Sequence, residues 1–142
     1  MVRKNFNIRA MTIEDYEEVY EIWSSTPGVG ISAADSKEDI AIYLERNSNL
    51  SFVCEAEEHI VGTILCGHDG RRGYIQHTCV LPEYRGQNIG KILVEKVIEE
   101  LQKQGIDKCH LFVLADNESG GAFWSSLGWE KRSDIIIYSK NL

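Results

Sequence analysis

The stretch Val80-Leu81-Pro82-Glu83-Tyr84-Arg85-Gly86-Gln87-Asn88-Ile89-Gly90-Lys91-Ile92-Leu93-Val94 constrains this chain more than any other. It reads as the end of a strand, a glycine-bearing turn and the start of a long amphipathic helix. Pro82 has no N–H to give to a sheet ladder, so the strand is expected to stop near Leu81. Ile89, Ile92, Leu93, Val97 and Leu101 recur at helical spacing and define one packed face. Gly86 and Gly90 allow the backbone to approach another group closely. A helix start of this kind presents unpaired N–H groups and the positive end of the helix dipole, which together suit an anion, above all a phosphate.

The remaining pattern is that of a scaffold for this turn. Asn5 to Ala10 alternates as a strand does. Thr12, followed three residues later by Asp15, is an N-cap for a helix through Tyr16, Val19, Tyr20 and Trp23 that ends before Pro27. Ser36 opens a second helix carrying Ile40, Tyr43 and Leu44, closed by Asn47-Ser48-Asn49. Strands are expected at Leu50–Glu55, Ile60–Cys66 and Tyr74–Leu81, with a turn at Glu57-Glu58-His59 and a wide connection from Gly67 to Gly73. The long helix ends at Gln104-Gly105, with Gly105 just past the cap. Lys108 to Ala115 is a strand, and Asn117 precedes a short helix with Ala122, Phe123, Trp124 and Leu127. Trp129 starts a last pair of strands that turns near Ser133-Asp134 and ends with Ile135 to Ser139. The result is an α/β chain with a mixed, mostly antiparallel sheet and helices on both faces. A single domain over residues 1–142 is expected, with no linker or repeat to divide it.

Composition limits the function classes. Fifteen basic and 22 acidic residues give a formal net charge of −7, which opposes nucleic-acid binding and favours a cationic substrate. No apolar run is long enough for a membrane helix, and the N-terminus lacks the apolar block of a signal peptide, so a cytoplasmic protein is expected. Cys54, Cys66, Cys79 and Cys109 are too widely spaced for a metal knuckle and read as reduced core thiols; no metal site is expected.

Arg85-Gly86-Gln87-Asn88-Ile89-Gly90 resembles the acetyl-CoA pyrophosphate loop of the GNAT N-acetyltransferases, written Q/R-x-x-G-x-G/A. Arg85 and Gly90 match its ends, and Asn88 stands where the middle glycine is usual. Asn tolerates left-handed backbone angles, so Asn88 either keeps the turn and adds a side chain near the phosphates or weakens the site; both readings stay open. No Gly-Lys-Ser/Thr follows, which disfavours a nucleotide P-loop. Asn117, Gly120, Phe123, Trp124 and Leu127-Gly128-Trp129 are similar to the family's second cofactor segment, and Gly67 to Tyr74 resembles bacterial members known by family alone. The order of elements matches the GNAT fold along essentially the whole chain.

The resemblance implies an enzyme that moves an acetyl group from acetyl-CoA to a primary amine of a small molecule or peptide by direct attack, releasing CoA. It implies cofactor contacts from Cys79, Val80, Arg85, Gly86, Gln87, Asn88, Ile89, Gly90, Lys91, Asn117, Phe123 and Trp124. The backbone at Val80 would polarise the thioester carbonyl, and the arm of the cofactor would lie where this strand parts from the next. Such a reaction also needs a neutral amine and a stabilised thiolate. Tyr74, Gln76, His77 and Tyr138 are the candidate catalytic residues. Strict alternation places Tyr74, Gln76, Thr78 and Val80 on one face and Ile75, His77, Cys79 and Leu81 on the other, so His77 is expected to point away from Tyr74 and Gln76. Trp124 stands where many relatives have Tyr and has no acidic proton to give, which leaves water, Tyr138 or Tyr84 as the acid. Trp23, Tyr20, Tyr43 and Tyr138 are candidate walls of the acceptor pocket, and Asp35, Glu38 and Asp69 are candidate attractors for its amine. The alternative function is a module that binds acetyl-CoA with little turnover. No nucleic-acid or membrane partner is expected, and a homodimer stays open.

Overall fold

The structure is a computed structural model that describes residues 5–142. The chain forms two compact units, one ending at Phe112 and the other running from Val113 to Leu142.

The first unit is built on five strands in the order β1 (Asn7–Ala10), β2 (Phe52–Ala56), β3 (His59–His68), β4 (Gly73–Val80) and β5 (Cys109–Leu111). The first three pairings are antiparallel and the last is parallel. Among the described residues its α-helices are α1 (Tyr16–Ser25), α2 (Lys37–Arg46) and α3 (Ile89–Lys103). The mixed, mostly antiparallel sheet expected from the sequence is present.

Local chemistry explains the helix ends. The Thr12 N–H donates to the Asp15 carboxylate at 2.8 Å, which starts the first helical turn. Thr26 is extended because Pro27 follows it, and that ends α1. Ser36 caps α2 by accepting the Asp39 N–H at 3.2 Å. Gly105 takes φ +82°, as a residue just past a helix C-terminus does, and the Ile106 N–H returns to the Leu101 carbonyl.

The sheet has a helix-covered face on each side. Val19, Ile22 and Trp23 of α1 bury one stripe against Val53, Leu65 and Cys79, together with Ile40 of α2. On the opposite face, a Cβ at Gly62 would lie 3.0 Å from Ile89 and 3.2 Å from Leu93, so α3 rests directly on β3. Every residue of β3 from Ile60 to Gly67 is buried, as the nearly continuous apolar run of a strand covered on both faces requires.

Four expectations need correction. The connection after β3 is tight, because the ladder continues to His68 and Gly73. Asp69 closes it by accepting the backbone N–H groups of Arg71 and Arg72, both at 2.8 Å, which commits its carboxylate to the turn. The strand expected at Lys108–Ala115 is only Cys109–Leu111.

The last strand pair is not formed among the described residues. In the second unit, α4 (Glu118–Ser126) is followed by a segment without strand pairing, including Ile135 to Ser139. A β-branched run supplies propensity, but a strand exists through its ladder, and Arg132 instead closes a local fork onto Asp134 at 2.9 Å.

The fourth correction concerns β4. Cys79 pairs with Thr63 and Gln76 with Leu65, so His77 and Thr78 together oppose Ile64. This is a β-bulge, and His77 takes φ +47° within it. One inserted residue reverses the alternation beyond it. Tyr74, Gln76 and Cys79 therefore share the α1 face, whereas Ile75 and Val80 share the α3 face.

Candidate functional site

The turn anticipated from Val80 to Val94 has the expected construction. Leu81 is followed by a single helical turn at Pro82–Tyr84, then by Gly86 at φ +78° and Asn88 at φ +65°. Asn88 thus keeps the left-handed geometry that glycine would supply, and its side chain makes no capping bond. Its carbonyl accepts from the Ile92 N–H at 2.9 Å. The N–H groups of Ile89, Gly90 and Lys91 precede the first closed helical bond, so they have no partner within α3. The first turn of α3 carries no acidic residue. Arg85 folds back so that Nε donates to the Val80 carbonyl at 3.1 Å, and Gln87 completes the turn.

Beside this turn the sheet opens. The parallel pairing of β4 with β5 runs from Gly73 opposite Cys109 to Ile75 opposite Leu111 and ends there. Among the described residues, β4 is paired from Gln76 to Val80 with β3 alone. The Leu81 N–H donates to the Val61 carbonyl, so in this antiparallel register the neighbouring Val80 N–H is directed away from β3, toward the open edge. An edge that exposes backbone donors next to an anion-binding helix start can receive an extended, amide-bearing ligand with a phosphate end.

These residues fit the cofactor that the sequence resemblance implies. A Cβ at Gly86 would meet nothing within 4 Å, leaving open space against the turn. The Thr78 hydroxyl, at the bulge, is buried and without a partner among the described residues.

On the α1 face of the same strand lies a polar cluster that alternation had hidden. The bulge turns His77 toward α1, where its ring centroid lies 4.8 Å from that of Trp23. His77 Nε2 lies 2.6 Å from Asp35 Oδ1, and the two side chains are 10% and 7% exposed. Asp35 comes from a short helical turn, Ala33–Asp35, between α1 and α2. Its second oxygen accepts the Ser32 N–H at 2.9 Å, and its carbonyl accepts the Tyr16 hydroxyl at 2.7 Å. Trp23 Nε1 donates to Thr63 Oγ1 at 3.0 Å, and that hydroxyl donates to the His77 carbonyl at 3.1 Å. Both the backbone and the ring of His77 are held. Strict alternation puts His77 on the opposite face, and the sequence marks Thr63 by nothing more than a lone hydroxyl within the run Ile60–Cys66.

The other sequence candidates separate into groups. Tyr74 is half-buried, with ring centroids 5.7 Å from His110 and 6.4 Å from Phe112, and Gln76 is exposed. Cys79 is buried beneath α1; burial pushes its thiol up to about 11, which keeps it a neutral packing group. Tyr20 stacks on Tyr16 at 5.5 Å, and Glu38 is exposed in the first turn of α2. Tyr43 packs over Gly67, where a Cβ would lie 2.8 Å from its hydroxyl, and burial pushes its phenol up. In the second unit, Asn117 Oδ1 accepts the Gly120 N–H at 3.0 Å and so caps α4. Phe123 meets Trp124 edge-on at 5.0 Å, and Trp124 meets Trp129 in the same way. Tyr138 lies in the segment without strand pairing.

Comparison with known proteins agrees with this architecture. The profile of the acetyltransferase (GNAT) family matches residues 16–129. An acetyltransferase of Photorhabdus laumondii is 34% identical over 140 residues, covering 95% of this chain and 94% of the relative. An acetyltransferase of Sodalis glossinidius is 30% identical over 135 residues, with the same coverage. Among solved structures, the PaiA N-acetyltransferase of Thermoplasma acidophilum, crystallised with coenzyme A, superposes with a TM-score of 0.78 at 23% identity, over 92% of this chain and 93% of that one. By the matched profile and these relatives, the chain belongs to the acetyltransferase (GNAT) family.

Proposed function

We propose that this protein transfers the acetyl group of acetyl-CoA to a primary amine of a small molecule or peptide. The observation that carries the reading is the junction of two features on one strand end. Among the described residues, the second edge of β4 is unpaired from Gln76 to Val80, and the chain then turns directly into the uncapped start of α3. The coenzyme A held by the Thermoplasma relative of the same fold supports the same reading.

The N–H groups from Gly86 to Lys91 would hold the pyrophosphate, with Arg85 and Gln87 beside it. The Val80 N–H would be the donor to the acetyl carbonyl, where negative charge develops during attack. Acetyl-CoA supplies the acetyl group as an activated thioester. In the second unit, Asn117, Phe123 and Trp124 are the residues that the resemblance implies for further cofactor contact. The acceptor enters on the α1 face, beside Tyr74, Gln76 and His77, and the net charge of −7 favours an acceptor that arrives as a cation. Tyr138 remains the candidate acid for the departing thiolate.

The test is thiol release from acetyl-CoA over a panel of polyamines, amino acids, aminoglycosides and peptides with free amino termini. Amine-dependent release with a stoichiometric acetylated product is expected for at least one class. Saturable acetyl-CoA binding with no release beyond the amine-free rate across the panel would leave a cofactor-binding module instead.

A further inference from the structure

We infer that Asp35 fixes the ring of His77 in one tautomer, with the proton on Nε2, so that Nδ1 serves as the base that neutralises the acceptor amine. This inference rests on the acetyl-transfer reading and adds the residue that takes the proton and the residue that orients it.

The carboxylate can only accept, so the 2.6 Å contact is made by Nε2–H donating to Asp35 Oδ1. That leaves the lone pair on Nδ1, which has no hydrogen-bond partner among the described residues. Asp35 cannot swing away. Its other oxygen is held by the Ser32 N–H and its carbonyl by the Tyr16 hydroxyl. His77 cannot retreat into the sheet, because the Thr63 hydroxyl holds its carbonyl and the left-handed bulge aims its side chain toward α1. A carboxylate that holds one ring nitrogen and leaves the other free is the arrangement that makes an imidazole a directed base.

The position suits the chemistry. His77 lies on β4 three residues before Val80, on the same strand segment, so a proton from the acceptor ammonium would reach Nδ1 through bridging water. In the step itself, an N–H bond of the ammonium breaks and its electron pair stays on the amine nitrogen. The water passes a proton on, and an N–H bond forms at Nδ1. The imidazolium keeps its Nε2–H bond to the carboxylate 2.6 Å away and returns its proton to solvent after turnover.

The strand alone would not require Asp35. A histidine held merely for structure would serve equally well in either tautomer. The inference therefore predicts a difference that a structural role does not. In Asp35→Asn the single amide oxygen is claimed by the Ser32 N–H, so the amide NH₂ faces Nε2. The ring must then accept at Nε2 and carry its proton on Nδ1, which removes the base while keeping a hydrogen bond.

Two measurements test this. The first is ¹⁵N–¹H correlation of the His77 ring in the free protein, which reports the tautomer without turnover. The Nε2–H form is expected in the wild type and the Nδ1–H form in Asp35→Asn. The second is steady-state kinetics with the best acceptor. Asp35→Asn and His77→Gln should each lose about a hundredfold in kcat, with acceptor KM and acetyl-CoA affinity changed less than about threefold. The Nδ1–H tautomer in the wild type would overturn the inference, and that result needs no variant to fold. Asp35→Asn retaining kcat within about threefold would overturn it as well. If no amine supports turnover, the acetyl-transfer reading and the base role fail together, and the ring spectra still decide whether Asp35 sets the tautomer.

Discussion

His77 and Asp35 are 42 residues apart in sequence and 2.6 Å apart in space, one on a strand bulge and the other on the loop between the first two helices. The contact ties the α1–α2 connection to the strand that also carries Val80. The site on the α1 face and the open edge of β4 are therefore parts of one rigid strand segment.

Thr63 supports that segment from beneath. Its hydroxyl accepts from Trp23 Nε1 and donates to the His77 carbonyl, and both Thr63 and Trp23 are fully buried. Thr63→Val keeps the shape but leaves the indole N–H and the carbonyl unpaired. A loss of about 1–3 kcal/mol in unfolding free energy is expected by denaturant titration. The kcat should fall at least tenfold while acetyl-CoA affinity is unchanged. A variant with wild-type kcat would show that the bulge does not need this support.

Gly62 controls the seat of α3. A methyl there would approach Ile89 at 3.0 Å and Leu93 at 3.2 Å, both in the first two turns of the helix. Gly62→Ala should cost about 1–3 kcal/mol by overpacking. It should also weaken acetyl-CoA binding several-fold, because the displaced turn carries the phosphate donors. Unchanged affinity in a destabilised variant would separate the helix seat from the site.

Much of this was legible beforehand, for identifiable reasons. The β4-turn-α3 unit follows from Pro82, Gly86 and a five-residue apolar stripe, all local signals, and the elements from β1 to α4 appear in the expected order. The bulge was not legible, because alternation assumes an unbroken period of two and nothing in Gln76-His77-Thr78 marks an inserted residue. The Asp35–His77 pairing depends on tertiary contact rather than spacing. Ile135 to Ser139 looked like a strand on side-chain propensity alone, which cannot say whether a partner edge is engaged.

Acid should loosen the first strand from the first helix. Arg9 holds Asp15 through two bonds, at 2.9 and 2.7 Å, and reaches Glu55 at 2.7 Å. Burial pushes the Asp15 carboxyl up, but the Arg9 guanidinium and the Thr12 N–H outweigh it and hold it below the usual carboxylate range. A depressed carboxylate contributes stability above its unfolded value and loses it as pH falls through its folded one. The contribution should thus be complete above about pH 4 and fade below it. Unfolding titrations between pH 2 and 6, values of about that range being set by the unfolded carboxylate, should show a shallower acid limb in Asp15→Asn than in the wild type. Parallel limbs would assign the acid response to other groups.

Asn88 already occupies φ +65°, so Asn88→Gly removes strain without moving the turn. Stability within about 0.5 kcal/mol of wild type and acetyl-CoA affinity equal or better are expected. A tenfold loss of affinity would give the Asn88 side chain a direct cofactor contact.

The claim that the start of α3 holds the cofactor's phosphates is tested most directly by calorimetric titration of acetyl-CoA into the wild type and Gly86→Val. Gly86 lies at φ +78°, where a β-branched residue is strongly disfavoured, and a Cβ there would meet nothing of the protein within 4 Å. The account predicts saturable single-site binding to the wild type and at least a tenfold weaker affinity in a Gly86→Val protein that remains folded by circular dichroism. No saturable binding to the wild type at millimolar acetyl-CoA, or equal affinity in the two proteins, would contradict it.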